Sequence, residues 1–365
     1  MFDLVITALE QQEFSRAARL LQAWKQEKPR DPWLKLALAR YWEATGELGK
    51  AEPAYRQLLQ NAANAKLMTQ ARQGVARVQQ AQSREREQLL DQARSQPGAA
   101  ASALLVLEPV QGEARSAAAQ GLAQVMQLDL YTAKLQVPGQ YWRLYRVGNA
   151  GELQYFVQAL RERQTPSFWA PMQPIQALQV FKVQYIQALH PQITMVCQNA
   201  AGQLGSIAFD RSEVSQQVSG QVPILESVVD LGPWGRLKRR EVTQDFAEVV
   251  DLHLHQRGCV LRLCDRTYTY RQGLSFLEKP ATEGPAQPIA RLAWDALKQT
   301  LLQSLPGPDV GSFVGFGKTA LEYLNLLPSL PTHLDLARKV PSPWDTAFHL
   351  YSGLWFLRAD PNQAK

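Results

Sequence analysis

The segment Gly315-Phe316-Gly317-Lys318-Thr319 has the residue types of a phosphate-binding loop, in which backbone N–H groups and a lysine cradle phosphate oxygens. Its surroundings do not support that chemistry. Ser312 stands where the leading glycine belongs, no apolar strand runs in, and fewer than fifty residues follow for the rest of a nucleotide-binding domain. The segment predicts a loop running into a helix, with no cofactor. A second set, His253, His255, Cys259 and Cys264, has zinc-binding types, because His-x-His on a strand puts both imidazoles on one face and thiolates are good donors. A Gln256-Arg257-Gly258 turn sets His255 across from Cys259 but leaves Cys264 near Val250, so the four do not converge and no metal is expected. The third set is basic: Trp234 beside Gly235-Arg236-Leu237-Lys238-Arg239-Arg240, with Arg143, Arg146, Arg161 and Arg163 available to extend it. Glu241, Asp245 and Glu248 follow and neutralise much of it. Trp234, Arg236, Lys238, Arg239 and Arg240 are therefore candidates for contact with an acidic protein or, as a lesser reading, nucleic acid; a solvated loop and strand edge is the plain alternative. No serine sits in a glycine elbow, and none of the 5 histidines stands at an informative spacing from paired carboxylates. No catalytic residue is assigned.

Elements must position these groups, and composition bounds what the elements can be. At 365 residues, with 45% hydrophobic and 20% charged residues, the chain has material for two or three globular units and is neither disordered nor fibrous. A net charge of +6, spread along the chain, leaves no part basic enough to demand nucleic acid. Its 3 cysteines form no disulfide framework and suit a reducing compartment. The first residues lack a basic segment ahead of an apolar one, and no apolar run reaches the ~20 residues of a membrane helix. The expected location is the cytoplasm, with no transmembrane segment.

A self-comparison finds a period close to 34 residues in the first third. From Asp31 to Ala65, Leu38 and Trp42 lie one turn apart, Gly46 marks a turn, and Ala51, Tyr55 and Leu58 follow at helical spacing. One period earlier the same phase finds Ala17, Leu21, Trp24 and Pro29. Two periods later it finds Ala119, Ala123 and Met126. The intermediate period is degraded, with Glu85 at the packing-alanine position and Leu89 and Pro97 keeping the phase. This pattern resembles the tetratricopeptide repeat, and the resemblance implies an α-solenoid over residues 1–136 whose first helices line a protein-binding face. Trp33, Lys35, Arg40 and Trp42 are the candidate residues on that face. The clamp for chaperone C-termini is not expected, since the inner turns carry Leu36, Ala37, Arg40, Ala71 and Gly74, of which only Arg40 could serve.

After Val137-Pro138-Gly139 the period changes from 3.6 to 2. Strands are predicted at 178–187, 193–198, 204–209, 248–255, 259–263 and 267–271, with an Asn199-Ala200-Ala201-Gly202 hairpin turn. Helices are predicted at 149–163 and, from the Asp210/Glu213 capping box to Gly220, at 211–219. The 140–278 segment therefore reads as a mainly antiparallel sheet with helices on one face. A Pro-rich linker at 279–288 leads to C-terminal helices over 288–365 that pack on the preceding domain, among them 289–305 and 344–358, whose Trp344, Phe348, Tyr351 and Trp355 form one face. The fold class is α+β, multidomain. As a whole, the later part looks like uncharacterised proteins of photosynthetic bacteria that join such repeats to an α+β domain. The functional expectation is a non-enzymatic protein-binding adaptor or assembly factor, with an enzyme carrying an unrecognised pocket, and nucleic-acid binding through 234–240, as alternatives.

Overall fold

The structure is a computed structural model that describes residues 1–61, 64–231, 237–277, 286–311, 313–338 and 341–359, with the backbone alone described for 226–231, 237–241 and 286–289. The chain forms two compact units, Met1–Ser95 and Gln96–Lys365.

The first unit holds α1 (Phe2–Glu10), α2 (Phe14–Glu27), α3 (Pro32–Ala44), α4 (Leu48–Asn61) and α5 (Ala65–Arg94). Local chemistry sets their ends. Asp31 caps α3 by accepting the Trp33 N–H at 2.9 Å, with Pro32 at the first helical position. Gly46, at φ +79°, makes the left-handed turn into α4. Ala17, Leu21 and Trp24 pack with Val5, Ala8, Leu34 and Ala37, while Ala51, Tyr55 and Leu58 pack with Leu36, Ala39, Leu67 and Ala71. The expected phase is thus the core phase of α2 and α4, whereas Leu38 and Trp42 of α3 are half-buried beside the cores that Leu34, Leu36, Ala37 and Ala39 enter. The third hairpin does not form: α5 is one helix of 30 residues. Its middle, Gln79-Gln80-Ala81-Gln82, holds only helix-compatible residues and no turn former.

The second unit begins with β1 (Ser102–Leu107), inside the span expected to be the last hairpin. Its residues Ala103–Leu107 are all buried, a continuous apolar run that carries no period of two. Then come α6 (Ala114–Met126), which carries Ala119, Ala123 and Met126, α7 (Leu130–Gln136), β2 (Arg143–Asn149), α8 (Ala150–Glu162), β3 (Ser167–Pro171) and α9 (Met172–Gln176). β4 (Gln179–Ala188), β5 (Ile193–Gln198), β6 (Leu204–Phe209), β7 (Gln216–Leu231), β8 (Leu237–Leu254) and β9 (Cys259–Cys264) follow, then α10 (Ala286–Thr300), β10 (Asp309–Val310), α11 (Phe313–Ala320) and α12 (Pro343–Arg358).

Two sheets result: an antiparallel one in the order β2-β1-β3, and a mixed one in the order β10-β7-β8-β9-β4-β5-β6, with β10/β7 and β4/β9 parallel. The large sheet is covered on both faces, not one. Val218, Val222, Ala247 and Val249 pack toward Phe313, Phe316, Phe348 and Tyr351 of α11 and α12. Val250, Leu252, Leu254, Leu261 and Leu263 pack toward Trp294, Leu297 and Leu301. α12 is buried all round from Asp345 to Leu354; Trp344, Phe348, Tyr351 and Trp355 share the expected face, the first three around Phe313 and the last beside Tyr351.

Three further expectations are corrected. The capping box at Asp210 and Glu213 is present, but it closes only the 3₁₀ turn Arg211–Glu213, and 216 onward is β7. Gly220 lies within that strand under Phe348, where a Cβ would stand 2.6 Å from the ring. Residues 267–271 form no strand, because Tyr268 turns its hydroxyl to the Ile186 N–H (3.0 Å) and the Thr269 N–H bonds Gln184 O (2.7 Å). The Pro-rich linker lies mostly outside the described residues, and α10 begins at Ala286.

Candidate functional site

The glycines of the 315–319 segment are interior to α11. A Cβ on Gly315 would lie 2.1 Å from the Tyr141 ring, and one on Gly317 2.5 Å from the Trp344 ring. They are small so that aromatic rings can close on the helix backbone. Thr319 Oγ1 donates to Phe316 O (2.8 Å) and accepts from the Leu144 N–H (3.1 Å), and Lys318 is exposed. The phosphate-loop reading has no structural basis here. Gly317→Ala is expected to destabilise the protein by about 1–3 kcal/mol through overpacking, and Lys318→Ala to leave the denaturation midpoint within error; equal effects would refute this account.

Nor do the zinc types converge: among the described residues no group of three His, Cys, Asp or Glu could hold a metal. The register places Cys259 against Leu254 and Cys264 against Val249, one residue away from the expected pairing. Cys259 packs on the α10 side of the sheet and Cys264 on the α12 side.

What the structure does bring together is a buried polar cluster between β8, β9 and α12 that sequence reasoning missed. Asp251 and Arg262 are paired across the two strands, with Nε–Oδ1 2.8 Å and Nη2–Oδ2 2.7 Å, and both are essentially inaccessible. Arg262 also donates to Thr332 O (2.9 Å) and lies 5.0 Å over the Phe348 ring. Although burial works against it, the guanidinium holds the Asp251 carboxyl below its usual range. His253 Nε2 lies 3.0 Å from Ser352 Oγ. His349 Nε2 donates to Ile175 O (3.0 Å), and the His333 and His349 rings lie 5.0 Å apart. Burial pushes His253 and His349 down to about 3 and His333 to about 4, so all three are neutral near pH 7.

Ser352, His253 and Asp251 are the residue types of a hydrolytic triad, but they are not arranged as one. A triad aspartate would hold the imidazole Nδ1, which has no hydrogen-bond partner here, and both Asp251 oxygens are instead taken by Arg262. The cluster is a structural polar network that fixes α12 to the sheet. The signal for it was Asp251-x-His253 and Arg262 at inward positions of otherwise apolar strands.

The expected partner-binding residues are dispersed within the helical unit. Trp33 is half-buried, edge-on to Phe2 at 5.1 Å, and joins the two hairpin cores. Lys35 is exposed. Arg40 is half-buried near the Glu43 carboxylate, which receives the Arg77 Nε (2.6 Å) and the Tyr55 hydroxyl (2.5 Å) and is held below its usual range. Trp42, on another side of α3, lines an open cleft of about 690 Å³ with Lys50, Pro53, Arg56, Gln57 and Gln60. Lys50 and Arg56 are paired to Glu47 and Glu52.

In the basic run, Trp234 and Arg236 lie outside the described residues. Lys238, Arg239 and Arg240 lie in β8, in register with Asp230, Val229 and Val228. Beyond the last β9 pair, Val249 with Cys264, β7 and β8 continue to Leu231 and Leu237, pairing among the described residues only with each other. Val242 and Phe246 are exposed on this ribbon. Arg143, Arg146 and Arg161 are engaged elsewhere, with Glu322 (3.4 Å), Glu152 (3.1 Å) and Ser167 O (2.9 Å).

The chain matches no protein-family model, no curated protein and no solved structure. Among the described residues, no helix is long and apolar enough to cross a membrane.

Proposed function

We propose that this chain is a protein-binding adaptor, in which the tetratricopeptide-like hairpins of the first unit take a segment of a partner polypeptide and the α+β unit supplies a second contact. The α3–α4 cleft is the observation that supports this reading. Trp42 and Pro53 give it an apolar floor, and the side-chain amides of Gln57 and Gln60 offer donors and acceptors to a peptide backbone. A partly exposed tryptophan is the kind of anchor that carries binding energy in protein interfaces. The cations on the rim are already paired, so the cleft suits an uncharged or mixed segment more than a strongly acidic one. Assembly of a photosynthetic complex is the setting that the whole-chain resemblance implies.

The test is a photo-crosslinker at Gln57 of the full-length protein in native lysate. A polypeptide adduct is expected, and Trp42→Ala or Gln60→Lys should reduce it at least about tenfold while the thermal melt of the Gln60→Lys protein stays unchanged. Absence of a polypeptide adduct, or an adduct indifferent to both changes, would overturn the reading.

A further inference from the structure

Strand β6 is one edge of the large sheet, and it lacks the features that keep exposed edges from pairing. Its residues, Leu204-Gly205-Ser206-Ile207-Ala208-Phe209, include no charge and no proline, and its register against β5 runs without a bulge from Phe209–Ile193 to Leu204–Gln198. Among the described residues β5 is its one strand neighbour. The connecting hairpin sets the phase of the backbone groups, because the Asn199 N–H donates to Gln203 O at 3.0 Å. In an antiparallel ladder that directs the N–H and C=O groups of Gly205, Ile207 and Phe209 toward β5, and those of Leu204, Ser206 and Ala208 outward. Leu204 is 67% exposed, and Ser206 and Ala208 are exposed with it.

We propose that β6 pairs with β6 of a second copy of this chain, antiparallel about a two-fold axis through Ser206, so that the two large sheets become one. The outward phase requires even-numbered residues to face each other. An axis at Ser206 sets Leu204 against Ala208 of the partner subunit, Gly205 against Ile207 of the partner subunit, and Ser206 against Ser206 of the partner subunit. On both faces a large side chain meets a small one, and hydroxyl meets hydroxyl at the centre, with no like charges opposed. Moving the axis to Ile207 would set Leu204 against an Asp210 carboxylate, and moving it to Gly205 would set Ile207 against Gln203. This palindrome of sizes favours a second copy over an extended segment of another protein, whose own sequence would place no such demand on β6. A short strand ladder is small beside the ~1,200 Å² of a standard stable interface, so the dimer is weak and concentration-dependent.

Sedimentation of the full-length protein up to several hundred micromolar tests this. The average mass should rise toward that of a dimer; Ser206→Lys, which places two ammonium groups on the axis, should weaken association at least about tenfold. An equimolar mixture of Ser206→Lys and Ser206→Glu proteins should restore it as a heterodimer. On mild oxidation Ser206→Cys should cross-link, because hydrogen-bonded antiparallel Cα pairs stand about 5.5 Å apart, whereas Leu204→Cys should not. The three native cysteines are buried and do not interfere. A monomer at every concentration, a dimer indifferent to Ser206→Lys, or equal cross-linking at 204 and 206 would each overturn the proposal.

Discussion

Replacing Arg262 with methionine is expected to destabilise the Gln96–Lys365 unit by about 3–5 kcal/mol, the cost of leaving a buried carboxylate without its counter-charge. Asp251 has no exposure with which to recover solvation, and both of its carboxylate oxygens are bonded to Arg262. The loss comes from the orphaned partner and not from the pair's own strength, so the double change Asp251→Leu, Arg262→Met should return most of it. Urea denaturation of the two single variants and the double variant measures this. A double variant as unstable as the sum of the singles would mean that the pair itself, together with the Arg262 bond to Thr332 O, supplies the stability.

Acidification is the second large effect. Burial lowers His253 and His349 to about 3, whereas an unfolded histidine titrates near 6.5. The native state therefore binds fewer protons than the unfolded one below that value. Stability is complete above about pH 6.5 and falls as pH drops toward 3. At pH 5 each imidazole contributes a loss of about 2 kcal/mol, a large share of the ~5–15 kcal/mol that a domain has. His333, less deeply buried, acts in the same direction. Asp345 opposes them: burial raises its carboxyl to about 6 in spite of Arg338, so the native state takes up a proton there before the unfolded state does, and stability rises as pH falls through 6. The net expectation is a fall of a few kcal/mol between pH 7.5 and 5, measured by denaturant midpoints. His253→Gln with His349→Gln should flatten the pH profile even if it lowers stability at pH 7.5; an unchanged slope would show that these histidines do not control it.

How much of this could be read from the residues depended on whether the signal was local. The β5–β6 hairpin and α8 match expectation because strict alternation, the Asn199–Gly202 turn and a period of 3.6 are properties of a few neighbouring residues. β1 was hidden because five successive buried residues look alike at every period. β7 was hidden behind a genuine capping box that launches one turn and nothing more. The polar cluster joins residues 99 positions apart, and its existence depends on where α12 lands, which no spacing within a segment records. Arg40 and Trp42 were grouped because both belong to α3, yet two residues of helix turn them to different sides.

The burial of α12 bears on the order of synthesis. The two cores of the first unit are built from residues between Phe2 and Val78 and can close while the rest of the chain is still being translated. The second unit cannot. Its sheet face at Val218, Val222, Ala247 and Val249 stays incompletely covered until residues 343–358 emerge, since Phe348 and Tyr351 complete the cover that Phe313 and Phe316 begin. At ~5–20 residues per second, the interval between completing β8 and delivering α12 is several seconds or more. During that time a nascent chain with one finished unit carries an apolar sheet surface and a buried-type Asp251–Arg262 pair exposed to solvent or to a holdase.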